Sequence, residues 1–295
     1  MNKSYDVIYV GNYTKDTIIT PDGTRAVDGG GMNYAAHVGA RLGIKAAVIT
    51  RLAKEDDHVV NVITDSGIDC YPFYSENSTL MTLEYKTRNP DERNLYVKAV
   101  AGTIYADFLN GYTSKVIAVS PSIRGEIEPL FFSKIRQQMD VALAADVQGY
   151  IRVLNGETLT YQPWPEMQMT LQNIDYLKSD AVEAAFLTGE KDIEKAAQVY
   201  AEMGAKEIIL THAEGVLIFA ENKYYHYPWH AQSMDGRSGR GDTCMGSYVA
   251  KRISMPPKEA GKWAAAATSL KVERLGVFNR SIPEVEAFIQ KYYQD

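Results

Sequence analysis

Between Gly236 and Cys244 the chain reads Gly-Arg-Ser-Gly-Arg-Gly-Asp-Thr-Cys, a turn crowded with glycines that opens into a helix expected to end near Arg252. Glycines let successive backbone N–H groups converge, and a helix N-terminus adds roughly half a positive charge, so the pair can steady a transferring phosphoryl group. An acid at that spot needs its own reason. Asp242 would repel the phosphate that its surroundings attract unless it takes a proton from an attacking hydroxyl. The same residue could instead cap the helix, as Asp often does, and the local sequence leaves both readings open. The tripeptide Arg240-Gly241-Asp242 also occurs in adhesion motifs, but no secretion signal accompanies it. No Walker lysine motif, HExxH or GxSxG occurs in the chain.

The elements that must position this turn alternate along the chain. Val7 to Val10 is apolar and β-branched and ends at Gly11, which predicts a buried first strand. After the glycines at Asp28 to Gly31, helical spacing runs from Met32 to Leu42 and stops at Gly43. Strands are predicted at Ala46 to Thr50, Val116 to Ser120, Val141 to Ala145 and Ile208 to Thr211, with helices at Ile127 to Gln138 and Asp192 to Met203. Apolar strands separated by helices imply an α/β fold with a mostly parallel sheet covered on both faces. Thr17 to Val27 and Met81 to Val100 break this rhythm with alternating patterns, the second around the turn-like Asn89-Pro90-Asp91, and they predict hairpins of a small separate sheet. The C-terminal part is helical from Thr243 through Lys271 and again from Pro283 to Tyr293, with Ala264 to Ala267 suited to close packing.

Composition narrows the function classes. A chain of 295 residues, 45% hydrophobic, can bury a full core as one large domain with a small appendage. Its net charge of -6 lacks the surplus that nucleic-acid backbone binding needs, so no nucleic acid is expected as a partner. No apolar stretch reaches the ~18 residues of a membrane span, so no membrane partner is expected. Cys70 and Cys244 have no partners at metal-ligand spacing, and with the absence of a targeting segment they fit a cytoplasmic protein.

Taken in order, these motifs resemble the PfkB or ribokinase-like carbohydrate kinases over essentially the whole chain. The family's anion hole, catalytic Asp and following Thr or Ser resemble Gly239-Arg240-Gly241-Asp242-Thr243. Its N-terminal signature resembles Gly29-Gly30-Gly31-Met32-Asn33 continuing to Ala40-Arg41-Leu42-Gly43, and Gly11 with Asp16 matches its first strand. The resemblance implies that Asp16, Gly30 and Asn33 orient a small polyhydroxylated substrate, that Gly239, Arg240 and Gly241 steady the phosphoryl group, and that Asp242 accepts the proton. It further implies ATP as donor with Mg²⁺, and a single ribokinase-like domain over 1–295 whose lid strands, at about 12–28 and 80–101, close over the sugar. An exposed lid edge is a surface that a second subunit could cover, giving a homodimer.

The family's Asn-x-x-Glu element appears as Asp180-Ala181-Val182-Glu183, which would hold Mg²⁺ through water; without the resemblance, both acids would be ordinary first-turn residues favoured by the helix dipole. A neighbouring cation such as Lys178 would offset the extra carboxylate. The Thr-x-Gly-x-x-Gly element is degraded to Leu210-Thr211-His212-Ala213-Glu214-Gly215, leaving His212 and Gly215 as nucleotide-pocket residues, while the Ser269 to Gly276 stretch contributes Gly276 from the loop over adenine. The Asp that helps hold a monovalent cation in ribokinases lines up with Gly236, so potassium activation loses its support. Arg240 could steady the transferred phosphate, hold an acidic group on the substrate, or face solvent. Asp146-Val147-Gln148-Gly149-Tyr150-Ile151-Arg152 resembles the family's Asp-x-Asn-x-Arg stretch in a form associated with myo-inositol kinases, without choosing among polyol, ribose, fructose or ketodeoxygluconate.

The alternatives are a nucleoside kinase, with Tyr13, Tyr34 or Tyr96 beside the base, and a non-catalytic ligand-binding regulator on the same fold. A pure binder has no use for a base at Asp242. Asp242→Asn is therefore expected to lower turnover by about a hundredfold or more while donor binding is largely kept. Product release and an equilibrium donor titration measure the two, and unchanged turnover would remove Asp242 from this role.

Overall fold

Val7, Ile8, Tyr9 and Val10 are all buried, Val7 and Tyr9 in one core and Ile8 and Val10 in the other. A strand covered on both faces has no polar side to show, which is why its sequence is a continuous apolar run. It lies inside the large sheet of a computed structural model that describes residues 3–87 and 93–294; the Asn89-Pro90-Asp91 turn lies outside the described residues.

The large sheet runs in the order β15 (Lys223–Pro228), β14 (Gly215–Ala220), β13 (Glu207–Thr211), β12 (Tyr176–Asp180), β9 (Ala142–Asp146), β8 (Tyr112–Val119), β1 (Lys3–Val10), β4 (Ala46–Ala53) and β5 (Asp69–Ser75). All neighbours are parallel except β13 with β14 and β14 with β15. The β14–β15 hairpin turns at Glu221 and Asn222, both at positive φ, as a two-residue hairpin of the right twist requires. One face is covered by Gly31–Arg41, Arg240–Arg252 and Pro257–Val272, and the other by Phe131–Gln138 and Ile193–Glu202.

A second, mostly antiparallel sheet has the order β10 (Arg152–Asn155), β11 (Thr158–Tyr161), β7 (Arg93–Ala99), β6 (Thr79–Tyr85), β2 (Thr14–Thr20) and β3 (Gly23–Gly29), with only β2 and β6 parallel. Ile18, Met81, Leu83, Val97 and Ile123 form its small core. The two expected hairpin stretches both contribute strands, and a third hairpin, β10–β11, joins them. Buried Glu126 ties this sheet down by accepting from Thr79 Oγ1 at 3.2 Å and from the Ser122 amide at 2.6 Å.

Two helix boundaries differ from expectation. The helix expected from Ile127 begins at Phe131, because Ile127 pairs as a bridge with Ile104 and Glu128 accepts from the Ala106 amide. The helical stretch from Thr243 to Lys271 is two helices, since Pro256 and Pro257 cannot donate to a preceding turn, and Pro257 starts the second. No helix among the described residues is long and apolar enough to cross a membrane.

Helices Gly31–Arg41 and Arg240–Arg252 carry the two glycine-rich termini, and they approach closely because Gly246 has no side chain. A Cβ there would lie 2.6 Å from Ala35 O and 2.7 Å from Ala35 Cα. Gly246→Ala is expected to cost about 1–3 kcal/mol in urea unfolding, because backbone cannot yield as a side-chain tip does. A variant as stable as the parent would mean that the helices can part freely.

Candidate active site

Helix Arg240–Arg252 starts at Gly239, whose φ of 76° is left-handed and which no side chain caps. The ring of Tyr34 lies against it, so close that a Cβ on Gly239 would come within 2.3 Å. Arg240 N–H donates to Arg237 O and Thr243 N–H to Gly239 O. The amides of Gly241 and Asp242 thus open the helix without a capping side chain, the arrangement that binds anions. Capping is not the task of Asp242, which stands three residues inside the helix. Its Oδ1 is buried without a hydrogen bond.

That oxygen points at the other glycine-rich terminus. A Cβ on Gly31 would lie 2.4 Å from Asp242 Oδ1 and 2.7 Å from Ser120 Cβ, and one on Gly29 would lie 2.2 Å from Asp16 Oδ2. Asn33 donates its amide N–H to Gly30 O and its Nδ2 to Asp28 O, leaving Oδ1 buried and unsatisfied. Asn12 Oδ1 and Ser120 Oγ are unsatisfied in the same way. Asp16, Gly30, Asn33 and Asp242, far apart in sequence, are thereby brought together.

On the opposite side of Asp242 lies a buried charge network. Lys178 Nζ is 3.1 Å from Asp146 Oδ2 and 3.7 Å from Glu183 Oε2, and Arg152 Nη2 is 3.9 Å from Glu183 Oε1. A Cβ on Gly241 would meet Lys178 Cε at 2.7 Å and Nζ at 2.8 Å, so the lysine lies directly against the anion-binding turn. Burial raises the pKa of Asp242, opposed by Lys178, Arg152 and Lys271 in that order. Burial likewise raises Asp146, opposed by Lys178, and pushes Glu183 up to about 7. For Lys178 burial acts downward, but Asp146, Glu183, Asp180 and Asp242 outweigh it and the net shift is upward.

Asp180 and Glu183 form a reciprocal capping box: Asp180 Oδ1 accepts from the Val182 and Glu183 amides at 2.8 Å, and Glu183 Oε2 accepts from the Asp180 amide at 2.9 Å. They are first-turn acids, and they also line a cavity of about 420 Å³ together with Arg152, Lys178, Arg237, Arg240 and Asp242. Asn94, Leu95, Thr158 and Leu159 wall it from the second sheet. His212, Gly215 and Gly276 are not in this lining. His212 Nδ1 accepts from the Glu214 amide at 3.4 Å, Gly215 lets β14 approach Tyr227 O, and Gly276 occupies an open turn at φ 85°. Tyr13 is engaged with Asp28 and Tyr96 with Glu84. Sequence reasoning gave no role to Asp146 or Arg152 beyond a motif, and missed Lys271. The available signal for Lys271 was a lone cation ending the apolar stretch from Trp263 to Leu270.

The chain matches the pfkB family of carbohydrate kinases over residues 4–284 and belongs to that family. It is thus a phosphotransferase of the carbohydrate and nucleoside kinase class, on the ribokinase fold. Among solved structures it is similar to a pyrophosphate-dependent kinase of the ribokinase family in complex with sulfate, at 29% identity and TM-score 0.89 over 95% of this chain and 99% of that one. A pyrophosphate-dependent kinase of that family with a pyrophosphate analogue and myo-inositol is similar at 28% identity and TM-score 0.88, again over 95% and 99%. A cytidine kinase of Thermococcus kodakarensis is 24% identical over 83% of this chain and 87% of its own length.

Since the space between Gly31 and Asp242 holds no extra atom, Gly31→Ala is expected to lower kcat by about a hundredfold, the scale of a misplaced reacting group, with the fold kept. Steady-state kinetics beside a thermal melt would check it. Unchanged kcat would show that the carboxylate can turn elsewhere.

Proposed function

We propose that the enzyme transfers a phosphoryl group from pyrophosphate to a hydroxyl of a cyclic polyol of the myo-inositol type. The carrying observation is the cavity at the start of helix Arg240–Arg252, where Arg152, Lys178, Arg237 and Arg240 converge while Tyr161 is the one aromatic ring in the described lining. A chain of phosphates needs convergent positive charge and amides; a nucleobase needs an apolar or aromatic slot as well. The donor we infer therefore differs from the ATP that the sequence motifs suggest. It agrees with the pyrophosphate dependence of the solved relatives at 29% and 28% identity.

The acceptor side supports a polyol. Asn12 Oδ1, Asn33 Oδ1, Ser120 Oγ and Asp242 Oδ1 are buried acceptors without donors, and hydroxyl groups are donors that would satisfy them. Asp242 would take the proton of the attacking hydroxyl, and the Gly239 to Gly241 turn with Arg240 would hold the phosphoryl group as it passes. Mg²⁺, bound with the donor, would neutralise phosphate charge. Asp180 and Glu183 would hold it through water, because their capping bonds already use one oxygen each. The second sheet would act as the lid, with Asn94, Leu95, Thr158 and Leu159 keeping water from competing with the acceptor.

Turnover is to be measured with Mg²⁺ and either pyrophosphate or ATP against myo-inositol, ribose, fructose, 2-keto-3-deoxygluconate and cytidine. Phosphorylated myo-inositol formed at least about tenfold faster from pyrophosphate than from ATP is expected, the difference that one lost charged contact makes. Faster turnover with ATP would overturn the donor assignment, and turnover confined to cytidine the acceptor assignment.

A further inference from the structure

Lys271, on helix Pro257–Val272, is only 3% exposed, and the bonds its ammonium makes among the described residues are to main-chain carbonyls. It donates to Gly236 O at 2.5 Å and to Ser238 O, and lies 4.9 Å from the centre of the Tyr34 ring. That ring packs on Gly239, the first residue of the anion-binding turn. On its other side the loop is fixed to main chain: Gly236 N–H donates to Val272 O at 2.7 Å, and the Arg274 carbonyl abuts Gly236. The segment from Gly236 to Gly239 is thus shaped by main chain on one flank and by one buried cation on the other.

Converging main-chain carbonyls are the ligands with which proteins replace the water shell of a monovalent metal ion. An aromatic face is a further favourable neighbour for a cation. We propose that Lys271 is a built-in monovalent cation: its ammonium gathers the carbonyls of Gly236 and Ser238, fixes the loop that aims the Gly239 to Gly241 amides, and makes turnover independent of added potassium or ammonium. Lys271 is a positioning residue, since it acts through the loop. The role rests on the reading that these amides hold the transferring phosphoryl group. Burial lowers the pKa of Lys271 to about 8, with Asp242 opposing and Arg25 assisting that fall, so the site keeps its cation at neutral pH despite the desolvation.

The test compares the full-length protein with Lys271→Met in buffers whose cation is tetramethylammonium, potassium or ammonium. Parent turnover is expected to be the same in all three. Lys271→Met is expected to lose about a hundredfold in kcat with acceptor KM little changed, as for misaimed groups, and to regain about tenfold or more with potassium or ammonium as the ion fills the vacated place. A purely structural lysine would show no such rescue. Parent turnover that requires potassium, a variant with parental kcat, or a loss that neither ion relieves would each overturn the proposal. Hydrogen exchange of the Gly236 to Gly241 amides, read by mass spectrometry, needs no turnover and separates this proposal from the kinase assignment. Exchange that is faster in the variant and slowed again by potassium supports the built-in cation even if no acceptor in the panel reacts; exchange unaltered by the substitution overturns it even if the kinase assignment stands.

Discussion

The charge of Lys178 is the constraint around which the site is arranged. Asp146 and Glu183 are carboxyl groups removed from water, Asp242 buries its Oδ1 beside them, and an isolated carboxylate in such a place would neutralise itself by taking up a proton. One ammonium, 3.1 Å from Asp146 and 3.7 Å from Glu183, with Arg152 behind it, is the main influence that opposes this uptake, although burial still wins and their pKa values stay raised. Removing such a centre leaves uncompensated charge, typically at a cost of about 3–5 kcal/mol. The position of Lys178 is set by the parallel register of β12 between β9 and β13, which faces Lys178 with Asp146. The same lysine presses on Gly241, so the sheet that stabilises the fold also sets where the anion-binding turn can lie.

Most of the scaffold could be read from the sequence for a physical reason. Strands buried on both faces announce themselves as unbroken apolar runs, as in Val7 to Val10 and Val116 to Val119. Elements with one wet face were harder. The hairpin β10–β11 has a mixed pattern over Arg152 to Tyr161, and Gly156, at φ 61° in its two-residue Gly156-Glu157 turn, was the one clear signal. Helix His58–Asp65 is rich in β-branched residues, which favour strands, and tertiary packing of Val59 and Ile63 overrides that preference.

The site divides along similar lines. Asp242 and its glycines form a local pattern, and local patterns survive in sequence. That Asp16, Gly30 and Asn33 share a site with Asp242 had to be carried by resemblance, because nothing within either segment encodes the other. Lys271 stood out only as a cation ending an apolar stretch, and its partners could not be read at all: they are main-chain oxygens, which every residue possesses, so no side-chain pattern could betray them. Asp180 carried two readings, a cap and a phosphate-side acid. The geometry makes them compatible, since one carboxylate oxygen serves the helix while the residue still borders the cavity.

The joining of Gly31 to Asp242 also bears on how the protein comes into being. The glycine-rich terminus belongs to the first helix and Asp242 to one of the last three, so a chain emerging from the ribosome would expose the glycines of Gly29 to Gly31 long before Asp242 is made. Helix Gly31–Arg41 packs on Arg240–Arg252, and until that partner arrives one apolar flank of the nascent sheet has no cover. Contacts so distant along the chain close late and slowly. The chemistry proposed for Asp242 and the finished core are consequently completed in the same late step, and by that proposal an unfinished polypeptide would spend no phosphoryl donor.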